Sequence, residues 1–225
     1  MTPKVIAHDS VSLDGSFMNF NPNMGIHYQI VGIFRADAHL IGSNTIKMGI
    51  ELYGDGVPSE EESDFKKPDK DINLPLWVIP DTKGILKGLL HIYRRFEFCR
   101  DIVVLISEAT PEDYVEYLEE RDYDYHRVGQ KRVDLKKALE LLEERYNIKT
   151  VLADTGRILV NLLLNLSLVS EISLLIHPLV VGAKAEGLFS NVSSNLKLKL
   201  LNNETLEDGH VWLTYKVLYG DNGVK

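Results

Sequence analysis

Cysteine is nearly absent from this chain. One residue of the type, Cys99, occurs among 225, so no internal disulfide can form, and no Cys/His spacing of the zinc type exists to recruit it. A reducing cytoplasm is the default compartment, with Cys99 as a small core residue. Long hydrophobic runs are missing too. The amino terminus "MTPKVIAHDS" holds no apolar signal region. No segment reaches the roughly 20 apolar residues of a membrane span, so no membrane partner is expected. Basic residues are in the minority, 25 Lys and Arg against 33 Asp and Glu, giving a net charge of −8. General nucleic-acid binding needs clustered Lys and Arg and is excluded on that count. A small anionic ligand remains compatible, because charges beyond about 8–10 Å are screened and a local donor-rich pocket outweighs them. Also lacking are an internal repeat, a catalytic triad, a metal cluster, a G-x-G-x-x-G and a Walker loop.

What is present is ordinary for a globular protein: 44% apolar and 26% charged residues, enough chain to bury a full core. One segment stands apart. "GDGVPSEEESDFKKPDKD", residues 54–71, is charged, carries two prolines and has almost no large apolar group. It reads as a mobile surface loop, its acidic run Glu60–Glu62 solvated, or as a lid over a site. A domain linker would leave too short a segment before it to bury a core, so the chain is expected to be a single domain.

Short runs rich in Val, Ile and Leu read as strands covered on both faces: "KVIAH" (4–8), "AHLIG" (38–42), "LPLWVIP" (74–80), "DIVVLIS" (101–107), "KTVLAD" (149–154) and "EISLLIHP" (171–178). Helical patterns lie between them. "TPEDYVEYLEERD" offers Thr110 as N-cap and Pro111 as first helical residue. "DLKKALELLEERY" places Leu135, Ala138, Leu139 and Leu142 on one face behind an Asp134 cap. "GRILVNLLLNLSLV" is apolar almost all round, so Leu159, Leu162, Leu163 and Leu166 belong to a core or a subunit contact. "NLKLKLLN" and "HVWLTYKVLYG" alternate about "NETLEDG" and read as a closing antiparallel pair. The expected fold is α/β, a mixed, mostly parallel sheet flanked by helices with antiparallel carboxyl-terminal strands. Such sheets bind ligands beyond the carboxyl ends of their strands.

Three donor-rich turns fall at such ends. In "DSVSLDGSF" the strand ending at His8 runs into Asp9–Gly15, where Asp14-Gly15 also suffices as a plain turn. In "DAHLIGSNTIKMG" a strand is followed by Gly42, Ser43, Asn44 and Thr45 at the head of a helix; these suit a phosphate or carboxylate, or simply an N-cap. In "VLADTGRILVNLLL" the turn Asp154-Thr155-Gly156 precedes a helix, with Gly156 allowing close approach of a ligand and Asp154 or Thr155 free to cap instead. Each turn alone is explained by capping; three built alike point to a shared cradle. His8 reads as a hydrogen-bonded histidine at a strand end in preference to a proton donor near a substrate, His177-Pro178 as a strand end in preference to a catalytic base, and Glu171 and Glu186 as either substrate contacts or surface.

Together "SVSLDGSF", "ADAHLIGSNT", "LWVIPDTKG", "IVVLIS", "VDLKKALELLEERYNIKTVLADTG" and "LVSEISLLIHPLVVG" resemble, in order and rough spacing, the riboflavin-biosynthesis pyrimidine reductases, the reductase part of the bifunctional deaminase-reductases. The resemblance covers nearly the whole chain, and no deaminase signature accompanies it. It implies the dihydrofolate-reductase-like fold and an NADPH-dependent reduction, with NADH as the other donor. The phosphorylated small-molecule substrate is 2,5-diamino-6-ribosylamino-4(3H)-pyrimidinone 5′-phosphate, whose ribosyl group becomes ribityl. It further implies that Gly42, Ser43, Asn44 and Thr45 hold the cofactor, as do Asp154, Thr155 and Gly156, with the amides of Arg157 and Ile158 at the pyrophosphate. Ser107 is the candidate for the adenosine 2′-phosphate. Asp14 lies beside the substrate, with Ser12 and Gly15, orienting the sugar or supporting the proton that accompanies hydride. A homodimer is implied as well. One departure stands out: relatives carry an acid with a glycine pair where this chain reads Asp154-Thr155-Gly156-Arg157. Arg157 either obstructs the pyrophosphate path or pairs with a phosphate. Other readings are a reductase of the same fold with a different substrate, and a nucleotide-binding relative that has lost catalysis.

Overall fold

The computed structural model of the protein describes residues 2–53 and 56–220. Among them nine strands and six α-helices alternate, and the strands form a mixed sheet, mostly parallel, with antiparallel strands at the carboxyl-terminal end. Contacts gather the chain into two compact units: residues 36–151 with the extreme amino terminus, and residues 4–35 with the segment from Leu152 onward.

In the first unit β2 (Ala38–Leu40), β3 (Leu76–Pro80), β4 (Ile102–Ile106) and β5 (Asp124–Arg127) pair in parallel in the order β5-β4-β3-β2. Helices α2 (Ser43–Tyr53), α3 (Leu90–Arg94), α4 (Glu112–Glu120) and α5 (Leu135–Tyr146) belong to the same unit. Every residue of β4, "IVVLI", is buried, as a parallel strand covered on both faces requires. Around it pack Ile41, Ile46, Ile79, Leu86, Leu90 and Leu118, each such side chain contributing about 2 kcal/mol by leaving water. Cys99 joins this core; burial pushes its thiol up to about 12, so it is chemically inert.

Helix α5 forms as its sequence dictates. The Asp134 side chain accepts from Lys137 N, and Leu135, Ala138, Leu139 and Leu142 are the buried face. Helix α4 begins one residue later than expected. Pro111 is its N-cap, and the Thr110 hydroxyl instead accepts from Ser107 N at 3.0 Å, closing the turn after β4. Strand β5, "DYHR", escaped the sequence reading because it is four residues long and polar, which an edge strand bordered only by β4 tolerates.

Of the charged segment at 54–71, Gly54 and Asp55 lie outside the described residues. The remainder holds a 3-10 turn over Glu62–Phe65 and several attachments. Asp64, buried, pairs with Arg95. Glu60 takes Arg121 in a bidentate bond at 2.7 and 2.8 Å, so it is not a freely solvated acid. Lys70 Nζ donates to the carbonyls of Arg94, Phe96 and Cys99 at 2.7–2.8 Å.

In the second unit β6 (Thr150–Asp154, whose last three residues belong here), β1 (Lys4–Ser12), β7 (Glu171–His177), β9 (Val211–Leu218) and β8 (Lys197–Thr205) follow one another in that order. Strand β1 runs parallel to β7, and β9 antiparallel to both β7 and β8. Strand β1 does not stop at His8. Its ladder with β7 extends from Ile6↔Glu171 to Ser12↔His177, so Asp9–Ser12 are strand and the turn starts at Leu13. Sequence polarity misleads here because β1 turns His8, Ser10 and Ser12 to one face; His8 and Ser10 find buried partners, and Ser12, itself buried, bonds the Asp14 carboxylate.

That face is covered by α1 (Met24–Phe34), whose Ile26 and Ile30 pack with Leu175 and Trp212. Two glycines and four β-branched residues weaken its helical signal, but Asn23 caps it by accepting from Ile26 N. Helix α6 (Arg157–Asn165) buries Leu159, Val160, Leu163 and Leu164. It is not apolar-buried all round, because Ile158 is 72% and Leu166 48% exposed. No helix among the described residues is long and apolar enough to cross a membrane.

Candidate active site

The turn after β1 is held from both sides. Ser12 N donates to Ser16 O and Gly15 N to Ser12 O, each at 2.9 Å. Gly15 sits at φ +78°, a conformation that favours glycine. Asp14 clamps a second loop onto this turn. Its Oδ1 accepts from Ser12 Oγ at 2.5 Å and Val181 N at 3.1 Å, and its Oδ2 from Gly182 N at 2.8 Å. The Ser12 hydroxyl first, then the Gly182 and Val181 amides, hold its carboxyl down at about 2. Asp14 is exposed and ionised at neutral pH, so it is an acceptor and carries no proton to give.

At the end of β6, Asp154 is one quarter exposed, with Oδ1 3.3 Å from His27 Nε2. Thr155 is buried and Gly156 is the N-cap of α6. Gly156 has φ −68° and ψ 174°, extended backbone open to any residue, so a special glycine conformation is not what the turn uses. Gly156, as N-cap, brings no side chain of its own to the first turn of α6, where the positive end of the helix dipole lies at Arg157 and Ile158. The Arg157 guanidinium lies 5.5 Å from the Phe17 ring centroid, 3.7 Å from Glu186 Oε2 and 3.4 Å from Ser190 Oγ.

In the first unit, Gly42 closes the start of α2 by accepting from Ile46 N at 3.1 Å, and Ser43, Asn44 and Thr45 form the helix's first turn. Ser43 and Asn44 line an open cleft of about 300 Å³ together with Pro80, Asp81, Thr82, Lys83 and Ile85. The turn after β3 is built by Asp81, buried, whose carboxylate accepts from Ile85 N and Leu86 N at 3.1 and 3.0 Å; burial raises its affinity for a proton. Gly84 ends that turn at φ +65°, where an added Cβ would stand 2.6 Å from Tyr114 Cγ. Gly84→Ala is expected to destabilise the protein by about 2–3 kcal/mol, from strain plus overpacking. Urea unfolding measures this, and a loss below about 0.5 kcal/mol would show that the turn relaxes freely. Ser107 lies at the end of β4, wholly buried, its Oγ accepting from Ala109 N at 3.2 Å.

A family model described as the RibD C-terminal domain matches residues 3–212. The chain belongs to that family. Among solved structures similar to this RibD-type chain, RibD of Acinetobacter baumannii shares 20% identity at a TM-score of 0.68, covering 96% of this chain and 58% of that one. A pyrimidine reductase-like protein of Corynebacterium diphtheriae shares 18% at 0.67, covering 97% and 93%. A riboflavin biosynthesis reductase of Saccharomyces cerevisiae shares 20% at 0.62, covering 96% and 90%. This chain therefore spans under three fifths of the Acinetobacter protein's length. At these identities the neighbours establish the fold.

Within the RibD-type frame, the sequence-named residues separate by unit. Gly42, Ser43, Asn44, Thr45 and Ser107 lie in the first; Ser12, Asp14, Gly15, Asp154, Thr155, Gly156, Arg157 and Ile158 in the second. Ser12, Asp14 and Gly15 are joined in one turn. His177 has the structural role read for it, its Nε2 accepting from Asn23 N at 2.9 Å. Glu171 pairs with Lys4 at 2.8 Å. Sequence reading passed over Thr82, Lys83 and His27. For the first two a signal existed, "PDTKG" directly after a strand. For His27 there was none, since its helix was not recognised.

Proposed function

We propose that the protein is an NADPH-dependent reductase that converts 2,5-diamino-6-ribosylamino-4(3H)-pyrimidinone 5′-phosphate to its ribitylamino form, with NADH as the weaker donor. The observation that carries this reading is the RibD C-terminal match over residues 3–212.

The donor chemistry of the strand ends supports it. A reduced nicotinamide dinucleotide presents phosphates, ribose hydroxyls and a carboxamide. The glycine-headed first turn of α6 suits a pyrophosphate, and Arg157 beside it supplies charge that Glu186 only partly offsets at 3.7 Å. Within the first unit taken by itself, the cleft lined by Lys83, Thr82, Ser43 and Asn44 has donors that suit a phosphate or ribose hydroxyls. They fill that role better than Ser107, whose hydroxyl is buried and already engaged.

When bound, the cofactor supplies the hydride. The chain's own groups bind and orient. Asp14, ionised, accepts from hydroxyls of the substrate sugar and holds the loop at Val181–Gly182 in place. The proton that accompanies reduction does not start on Asp14. Positioning of donor and acceptor carbons about 3–3.5 Å apart is the protein's main contribution.

The test is a thermal-shift titration. NADPH at 100 times its dissociation constant is expected to stabilise the fold by about 2.7 kcal/mol. Absence of any shift with NADPH and NADH alike would overturn the reading.

A further inference from the structure

Behind Asp154 lies a buried polar chain that the proposed chemistry leaves unused. His27, on α1 and 4% exposed, has Nδ1 3.0 Å from Ser10 Oγ and Nε2 3.3 Å from Asp154 Oδ1. Ser10 is itself 6% exposed in the middle of β1, so it is no nucleophile, and its hydroxyl has one purpose in this arrangement. A serine hydroxyl that donates to Nδ1 would place the imidazole proton on Nε2, facing the carboxylate. The neighbouring His8 reinforces the order. Its ring lies 4.5 Å from that of His27. Its Nδ1 meets Ser173 Oγ at 2.9 Å, and that oxygen also accepts from Trp212 Nε1 at 2.8 Å. Its Nε2 makes no hydrogen bond of proper geometry. Burial and the adjacent His27 lower its basicity to about 3, so it stays neutral.

We propose that His27 is a positioning residue: Ser10 sets its tautomer, and its Nε2–H fixes the Asp154 carboxylate as a rigid acceptor for hydroxyl or amide donors of the nucleotide. The inference rests on the reading of the end of β6 as the nucleotide site. Its physical basis is preorganisation. A carboxylate at the mouth of a strand end rotates freely about its terminal bond unless one oxygen is engaged from behind, and a ligand must then bear the cost of stopping it. A buried imidazole held by a serine on its other nitrogen does this from behind the carboxylate. The charged and titratable groups about His27 include Asp154, His8 and, electrostatically, His177; Asp9, whose burial beside Asp154 favours its neutral form, lies next to Ser10 on β1. Tyr28 packs edge-on at 5.1 Å.

The experiment is a double-mutant cycle on the NADPH dissociation constant, paired with nitrogen-15 NMR of the histidine tautomers in the unliganded protein. His27→Leu is expected to weaken NADPH about tenfold, and His27→Gln, which retains an N–H donor, less than threefold. His27→Leu is expected to add nothing in an Asp154→Asn background. Ser10→Ala, the mildest change, is expected to convert His27 from a pure Nε2–H tautomer to a mixture while thermal stability holds. Equal effects of His27→Leu with and without Asp154→Asn, or no effect at all, would overturn the proposal. If the wild-type protein binds neither nucleotide, the reductase reading fails on its own. The pairing is then decided by the spectra: a His27 tautomer indifferent to both Ser10→Ala and Asp154→Asn overturns it.

Discussion

Replacing Arg94 with Met lowers the stability of the protein by about 3–5 kcal/mol. The guanidinium is 3% exposed and every side of it is occupied. Its Nε donates to Asp101 Oδ1 at 2.8 Å and Nη2 to Asp101 Oδ2 at 3.3 Å. Nη1 donates to the carbonyls of Asp64 and Arg121 at 3.0 and 2.7 Å, and Nη2 to that of Asp122 at 2.8 Å. The plane stacks 4.0 Å from the Tyr123 ring. Methionine fills much of the volume but strands a largely buried carboxylate and three carbonyls, and an uncompensated buried charge is what makes such breaks expensive. Against a typical total of about 5–15 kcal/mol, this is a large fraction. Urea unfolding measures it. Arg94→Met combined with Asp101→Leu is expected to recover part of the loss, because the orphaned charge is then gone. A single-variant loss below about 1 kcal/mol would mean that water reaches these groups.

Asp14→Ala is expected to lower turnover about 100-fold, the scale on which a misplacement of roughly 1 Å acts, and to change the acid limb of stability. The carboxylate accepts from Ser12, Val181 and Gly182, so its loss loosens the turn after β1 against the 179–186 loop, leaving Leu13 N–Leu179 O, Phe17 N–Glu186 O and Glu186 N–Ser16 Oγ to hold them. Its folded-state affinity for a proton is depressed to about 2, against about 3.9 in an unfolded chain. A depressed carboxyl stabilises the fold above the unfolded value, and that contribution disappears as pH falls from about 4 through 2. Wild type is therefore expected to lose stability over this window more steeply than Asp14→Ala. Parallel acid limbs would show that the clamp is absent in solution. Unchanged turnover would remove Asp14 from the site.

Much of the fold was legible in the sequence because the signals were local. The β4 run "IVVLI" and the α5 face of Leu135, Ala138, Leu139 and Leu142 needed no distant partner to be recognised. Strand β1 shows where local reading fails. Asp9, Ser10 and Ser12 look like turn residues, yet Ser10 and Ser12 are buried in a strand because His27 and Asp14 reach them from 17 and 2 residues away. Helix α1 stayed hidden for a related reason, being stabilised by packing on Leu175 and Trp212 and not by propensity. The site divides in the same way. The strand-end turns carrying Asp14 and Asp154 announced themselves by composition. The partners that define their chemistry, Val181 and Gly182 for one and His27 for the other, lie more than 100 residues off in sequence and leave no local mark.

The most direct measurement is the consumption of NADPH on adding the ribosylamino pyrimidine phosphate to the purified protein, followed by absorbance with NADH run in parallel. The account predicts stoichiometric oxidation of NADPH with formation of the ribitylamino product, slower with NADH. If neither nucleotide is oxidised under conditions where the protein is folded, the reductase assignment is contradicted.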